Sequence, residues 1–193
     1  MSCMYSEMMF RLTRLSRACK NFFWAGRAGT AAGSSSSRGA KSWQESSAGR
    51  IEISTTPHYH PLAPLLLDFH SAREAEPKAQ LPEATIYPGG RERVLVQLQS
   101  ALESHARRFA APPRGVWPAE GSVSQGLLGV LSGNGLSWTA SSEQVLVNSL
   151  GPGHRGTPRG RYLYRPYRLG SAPDLALFFR DDAAALGRPS AVP

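Results

Sequence analysis

A helical period of apolar residues is clearest in the middle of this chain. From Arg91 to Phe109, the residues Val94, Leu95, Leu98, Leu102, His105 and Phe109 share one face, with Arg and Gln opposite. Pro88-Gly89-Gly90 stops whatever precedes this helix, and Pro112-Pro113 ends it. Upstream, Arg50 to Ile53 is β-branched and strand-like, and Ser54 to His60 is a polar loop. The prolines between Pro57 and Pro64 forbid regular helix, and Leu65 to Arg73 is predicted as a short one. Downstream, Arg114 to Trp117 is strand-like and Pro118 closes it. A second helix is predicted over Ser122 to Ser132, weakened by Gly126 and Gly129 and stopped by Gly133-Asn134-Gly135. Leu136 to Ala140 follows as a short strand, and Ser141 with Gln144 makes a capping box for a helix to Leu150. Tyr162–Tyr167 and Leu175–Phe179 are further strand candidates.

This βαβα alternation indicates a parallel sheet, with Ile51–Ile53, Val116–Trp117 and Trp138–Ala140 as neighbours and helix 91–109 on the outer face. In such folds chemistry gathers where strands end and loops begin. The loops Ser54 to His60 and Pro118 to Ser122 occupy that place.

Composition adds a division of the chain. Of the net charge of +8, six charges come from residues 1–50, which hold eight basic residues against Glu7 and Glu45. Residues 1–48 are expected to form a low-complexity basic arm, with 25–48 disordered. Residues 49–193 are expected to form the folded unit. Three readings of the arm stand: a mitochondrial-type transit peptide, a polyanion-binding arm, or a segment that is no functional element. Phe10, Leu12, Leu15, Cys19, Phe22 and Phe23 would allow a short amphipathic helix there. Both cysteines, Cys3 and Cys19, lie in the arm, which fits a reducing, cytoplasmic setting. No run approaches the roughly 18 apolar residues of a membrane span, so no membrane partner is expected.

Glu120 follows Trp117-Pro118 where a strand gives way to a helix. A carboxylate beside a large aromatic face is the local chemistry of a glycosidase, because sugar rings stack through their C–H patches. A first-turn glutamate that merely favours the helix dipole has the same spacing. His58-x-His60 could be a zinc pair, a sugar-binding pair or loop packing, and spacing supplies no third ligand. Glu52 lies mid-strand between Ile51 and Ile53, where a carboxylate needs partners. The Arg and Tyr residues from Tyr162 to Arg168 fit either an exposed strand or a nucleic-acid surface.

Gly49-Arg50-Ile51-Glu52-Ile53, continuing through Ser-Thr-Thr-Pro-His-Tyr-His-Pro, resembles the second conserved region of glycoside hydrolase family 57. Arg114-Gly115-Val116-Trp117-Pro118-Ala119-Glu120-Gly121 resembles the third. Tyr164-Arg165-Pro166-Tyr167 and Phe178-Phe179-Arg180-Asp181 follow in the family's order, so the resemblance spans about residues 49–182. It implies an α/β fold, here an incomplete (β/α)7-type barrel of parallel strands with outer helices. It also implies a retaining mechanism on α-glucans, with Glu120 as the nucleophile and Glu52, His60 and Trp117 at the sugar. No metal, cofactor or nucleic-acid partner is implied. The family's first-strand His-Gln-Pro element and its acid/base Asp-Gly-Glu motif have no counterpart in these residues. The expectation is therefore a fragment holding the nucleophile half of a site, inactive by itself. A non-catalytic carbohydrate-binding or regulatory module and a polyanion-binding protein are the alternatives.

Overall fold

The computed structural model describes residues 48–154 and 156–185, together with 13, 14, 44 and 46. The expectations for the arm, a helix near residues 10–24 and disorder over 25–48, fall almost wholly outside these residues. The exceptions are a two-residue strand, β1, at Thr13–Arg14, where a helix was expected, and Gln44 and Ser46, which are helical, with the Ala48 amide donating to the Gln44 carbonyl at 3.0 Å.

A mixed α/β unit forms around one sheet of order β1-β4-β5-β3-β2. Its parallel strands are β2 (Gly115–Val116), β3 (Trp138–Ser142) and β5 (Ala172–Arg180). β2 pairs with β3 and β3 with β5, both in parallel. β4 (Tyr167–Leu169) folds back antiparallel on β5, and β1 pairs antiparallel with β4. The sheet is thus parallel at its centre and antiparallel on one flank, and a closed barrel is not formed by the described residues.

Helices make the crossovers that parallel strands require. α1 (Ala63–Leu67), α2 (Ala72–Ala75) and α3 (Gly90–Phe109) precede β2. α4 (Gln125–Gly133) joins β2 to β3, and α5 (Glu143–Leu150) leaves β3. α6 (Asp182–Ala185) follows β5. Helix α3 matches its apolar period: Val94, Leu98, Ala101 and His105 are buried at spacings of three and four. Val94 and Leu98 join Val116, Leu127, Leu128, Leu131, Leu146, Leu163 and the inward residues of β5 in one core. Thr139, Ala140 and Ser141 are all buried, as a strand paired on both sides and covered on both faces requires. None of the described helices is long and apolar enough to cross a membrane.

The structure corrects several expectations. Ile51–Ile53 is extended chain without ladder pairing, and parallel contact with β2 comes later, as a single bridge between Thr55 and Val116. Two prolines close behind, Pro57 and Pro61, keep that contact from lengthening. The helix cap after β3 is Ser142 rather than Ser141, its hydroxyl accepting from the Val145 amide. Ser141 instead completes the strand. Tyr162–Tyr167 is not an exposed strand: Leu163 and Tyr167 are buried, and the Tyr167 hydroxyl donates to the Tyr162 carbonyl at 2.6 Å.

Two glycines show where the fold has no spare room and where it has some. A Cβ on Gly115 would lie 1.9 Å from the Trp138 ring, whereas one on Gly129, exposed on α4, meets nothing within 4 Å. Gly115→Ala is expected to destabilise by at least about 1–3 kcal/mol through overpacking. Gly129→Ala should stabilise by roughly 0.5–1 kcal/mol, because only backbone entropy changes. Urea unfolding of the two variants should therefore move in opposite directions.

Candidate functional site

The loop after β2 carries the residues singled out by sequence, and β3 fixes its path. The Thr139 hydroxyl donates to the Val116 carbonyl at 2.8 Å, and the Ser141 hydroxyl to the Gly121 carbonyl at 2.6 Å. Both hydroxyls are fully buried, so each bond is shielded from competing water. Within the loop, the Ser122 hydroxyl donates to the Ala119 carbonyl at 2.7 Å. On the other side, the Trp117 amide donates to the Thr55 carbonyl at 2.8 Å. A short 3-10 turn, Ala119–Gly121, results, with Pro118 and Ala119 buried beneath it.

Glu120 stands on top of this turn at φ 55° and ψ 16°, with its side chain 76% exposed. A left-handed conformation is uncommon for a residue with a Cβ and costs on the order of 1–3 kcal/mol. Tyr59 and His60 share it, at φ 60° and 54°. His60 Nε2 lies 3.0 Å from Glu120 Oε1, across sixty residues of sequence. Both members of this hydrogen-bonded pair thus sit on strained backbone, at the carboxyl end of neighbouring parallel segments. Among the described residues, His60 is the hydrogen-bond partner of the Glu120 carboxylate.

Trp117 is half-buried beside them, and the Arg180 guanidinium lies 5.6 Å from its ring centroid. Arg180 is in turn paired with Asp182 at 3.0 Å. The structure therefore gathers Glu120, His60 and Trp117 at one edge and adds Arg180, which the sequence reading placed in a motif but gave no role at the site. Its signal was positional: it is the last residue of a strand, where a side chain reaches the functional edge.

Glu52 is not brought to this group. Trp138 Nε1 donates to its carboxylate at 2.5 Å, and Arg114 Nη1 lies 3.9 Å away. Trp138 and Arg114 mark the amino ends of β3 and β2, so Glu52 lies at the opposite end of the parallel segments. It lines a depression of about 410 Å³ with Arg50, His105 and Arg114. His58 packs its ring edge-on to Tyr59 at 4.2 Å, and the described residues hold no cluster of three or more potential metal ligands.

A second network braces the same edge. Arg159 pairs with Glu143, at the start of α5, and with Asp181, just past β5; its Nη2 lies 2.6 Å from Asp181 Oδ1. The Tyr164 hydroxyl and the Ala184 amide also donate to Asp181. Hydrogen bonding from Arg159 above all, then from Tyr164 and the backbone, holds the Asp181 carboxyl well below the usual range. A carboxyl so held is an anion at neutral pH and a poor proton donor.

The arrangement is that of an α/β protein with acidic, basic and aromatic side chains collected at the carboxyl ends of parallel strands. The chain belongs to glycosyl hydrolase family 57, whose model matches residues 41–184. Among solved structures it is similar to the α-amylase AmyC of Thermotoga maritima, at 20% identity and TM-score 0.49, over 74% of this chain and 22% of that one. It is similar also to the branching enzyme of Pyrococcus horikoshii, at 21% identity and TM-score 0.45, over 75% of this chain and 24% of the other. The 4-α-glucanotransferase of Thermococcus litoralis matches at 18% identity and TM-score 0.49, over 76% of this chain and 18% of its own. The chain thus spans about a fifth of the length of these structures. No curated protein matches it.

The paired Asp181 has a consequence for acid stability. Its folded-state pKa is lowered from the ordinary 3.8. The pairing therefore stabilises fully above that value and is lost as pH falls further, toward the folded pKa. Asp181→Asn should cost up to roughly 3 kcal/mol at pH 7, and this difference should shrink below about pH 4. Urea unfolding of both proteins at pH 7 and pH 3 checks it; a pH-independent difference would remove charge pairing as the cause.

Proposed function

We propose that this chain carries the nucleophile side of a retaining glycosidase site for α-glucans, on residues 49–193, with Glu120 attacking the anomeric carbon. The observation that supports this is the His60–Glu120 pair at 3.0 Å, built on strained backbone from two distant segments. Core packing has no use for two exposed, strained residues, whereas a sugar subsite does. His60 would hold a hydroxyl of the bound glucosyl unit and keep the carboxylate aimed. Trp117 would stack on the ring's C–H face, with Arg180 steadying the indole. Glu52 fits the subsite less well, since its carboxylate is taken up by Trp138.

A retaining reaction needs a second carboxyl about 5–5.5 Å from the nucleophile to protonate the leaving oxygen. Asp181 is a poor candidate, because Arg159 keeps it ionised. The described residues then supply attack without protonation, which favours slow turnover or none on natural glucans. That same shortage leaves the second reading, a carbohydrate-binding module that uses Trp117 and His60 without turnover.

An activated aryl α-glucoside separates the two, because its leaving group needs little protonation. Weak release of the aryl group, abolished in Glu120→Gln, is the expected result. Amylose turnover should fall below it by the roughly 10²–10⁴-fold that general acid catalysis supplies. Aryl release that persists in Glu120→Gln would end the nucleophile assignment. Sugar binding without any aryl release would favour the binding module.

A further inference from the structure

We infer that the groove beside Tyr59 is a second sugar-binding site, taking the further glucosyl units of an α-glucan whose reacting unit lies at Glu120; this rests on the function proposed above. The groove has a volume of about 300 Å³ and is lined by Tyr59, Glu92, Arg93, Val96 and Gln97. The groove and the candidate site are carried by adjacent residues of one loop. Tyr59 precedes His60, and adjacent Cα atoms are about 3.8 Å apart. A linear glucan that leaves the His60–Glu120 pair on the α3 side would meet the Tyr59 ring.

The lining suits a sugar better than a protein surface or a lipid. Tyr59 is 85% exposed and Val96 64%, so an aromatic ring and an aliphatic patch face solvent together. Sugar C–H faces pack on such surfaces. Around them, Glu92, Arg93 and Gln97 offer a carboxylate, a guanidinium and an amide, groups that accept from and donate to hydroxyls. Arg93 is held in place by its guanidinium, which lies 5.7 Å from the Tyr87 ring centroid. Gln97 Oε1 is itself buried and without a hydrogen-bond partner among the described residues, so a hydroxyl reaches it only after the side chain turns.

The geometry is also pre-formed. The His58 amide donates to the Gln97 carbonyl at 3.3 Å, which pins the loop to α3. The His58 ring then backs the Tyr59 ring edge-on at 4.2 Å. The left-handed backbone at Tyr59, φ 60°, fixes the direction in which its ring leaves the loop. An exposed aromatic on strained, pinned backbone loses little entropy on binding, which is the economy a weak sugar subsite needs.

Titration calorimetry of the full chain with maltose and with maltoheptaose tests the inference. Affinity should rise with length in the parent protein. Tyr59→Ala should weaken maltoheptaose about three- to tenfold and leave maltose within about twofold. Val96→Ser should act the same way but more weakly, which keeps the test alive if one variant folds poorly. Trp117→Ala should weaken both sugars.

Maltoheptaose binding unchanged in both groove variants, with Trp117→Ala still weakening both sugars, overturns the groove and leaves the function standing. An equal loss for the two sugars in Tyr59→Ala overturns it as well, since Tyr59 would then belong to the reacting subsite. Self-association of the parent chain that disappears in Tyr59→Ala, with sugar binding intact, makes the face a contact between copies and overturns the sugar site. No binding of either sugar by the parent chain overturns both readings together.

Discussion

Val116 lies in register with Thr139 and Thr139 with Leu177, while Thr55 bridges Val116 from the far side. Four segments therefore run in the same direction and finish at one edge, and nearly everything of interest follows from that alignment. Parallel neighbours cannot be joined by a tight turn, so the chain must cross over the sheet between them. Helices α4 and α5 are those crossovers, and their apolar faces, with Leu127, Leu128, Leu131 and Leu146, form much of the core. The strands end together because the helices return the chain to the same starting edge. Three successive strand ends then deliver Trp117 and Glu120, Glu143, and Arg180 and Asp181 to one rim.

Alignment alone would leave the loop after β2 loose. Central strand β3 prevents this with two hydroxyls in positions where apolar side chains are the rule. Thr139 and Ser141 are completely buried, and each spends its single proton on a carbonyl of the neighbouring β2 or its loop. Such bonds contribute about 0.5–1.5 kcal/mol each, comparable with the strain of one left-handed residue. Gly121, at φ 67°, follows Glu120 without adding strain, and a Cβ there would come within 3.4 Å of the Trp117 ring. The turn can therefore hold Glu120 outward because the residues around it are pinned, small or buried.

How legible this was depended on the range of the interaction. Helix α3 was readable because its period is internal to one segment, and its observed span, Gly90–Phe109, nearly repeats the predicted one. The strands around Val116 and Trp138 were readable because Pro118 and Gly135 punctuate them, although the second runs Trp138–Ser142 rather than Leu136 to Ala140. Ile51–Ile53 was misread: β-branched residues favour a strand, but pairing needs a partner in register, and β2 is only two residues long. The cap at Ser142 was missed by one residue, since two adjacent serines look alike until one is buried in the ladder. Tyr162–Tyr167 looked exposed because Tyr164 and Arg165 suit a solvated face and arginines flank the segment, yet Leu163 and Tyr167 decide its fate by entering the core. At the site, Glu120, Trp117 and His60 were named from short motifs. The turning of Glu52 toward Trp138 and the reach of Arg180 to Trp117 are long-range contacts that no local pattern encodes.

The same alignment creates an electrostatic problem. Delivering Glu120, Glu143 and Asp181 to one rim puts three carboxylates on adjacent strand ends, and like charges in partial burial repel. Arg159 resolves most of this by engaging Glu143 and Asp181 together, each side chain no more than about a fifth exposed. Its planar guanidinium makes two hydrogen bonds to each carboxylate, more than the three donors of a lysine could supply. Tyr164 and the Ala184 amide take up the remaining capacity of Asp181. Glu120 is then the carboxylate of this set left exposed, with an imidazole rather than a cationic guanidinium beside it. An exposed carboxylate beside an imidazole, with no second carboxylate of this set against it, fits the role proposed above for Glu120. The brace that stabilises the rim thus also sorts its acids, tying Glu143 and Asp181 into one network and leaving Glu120 outside it.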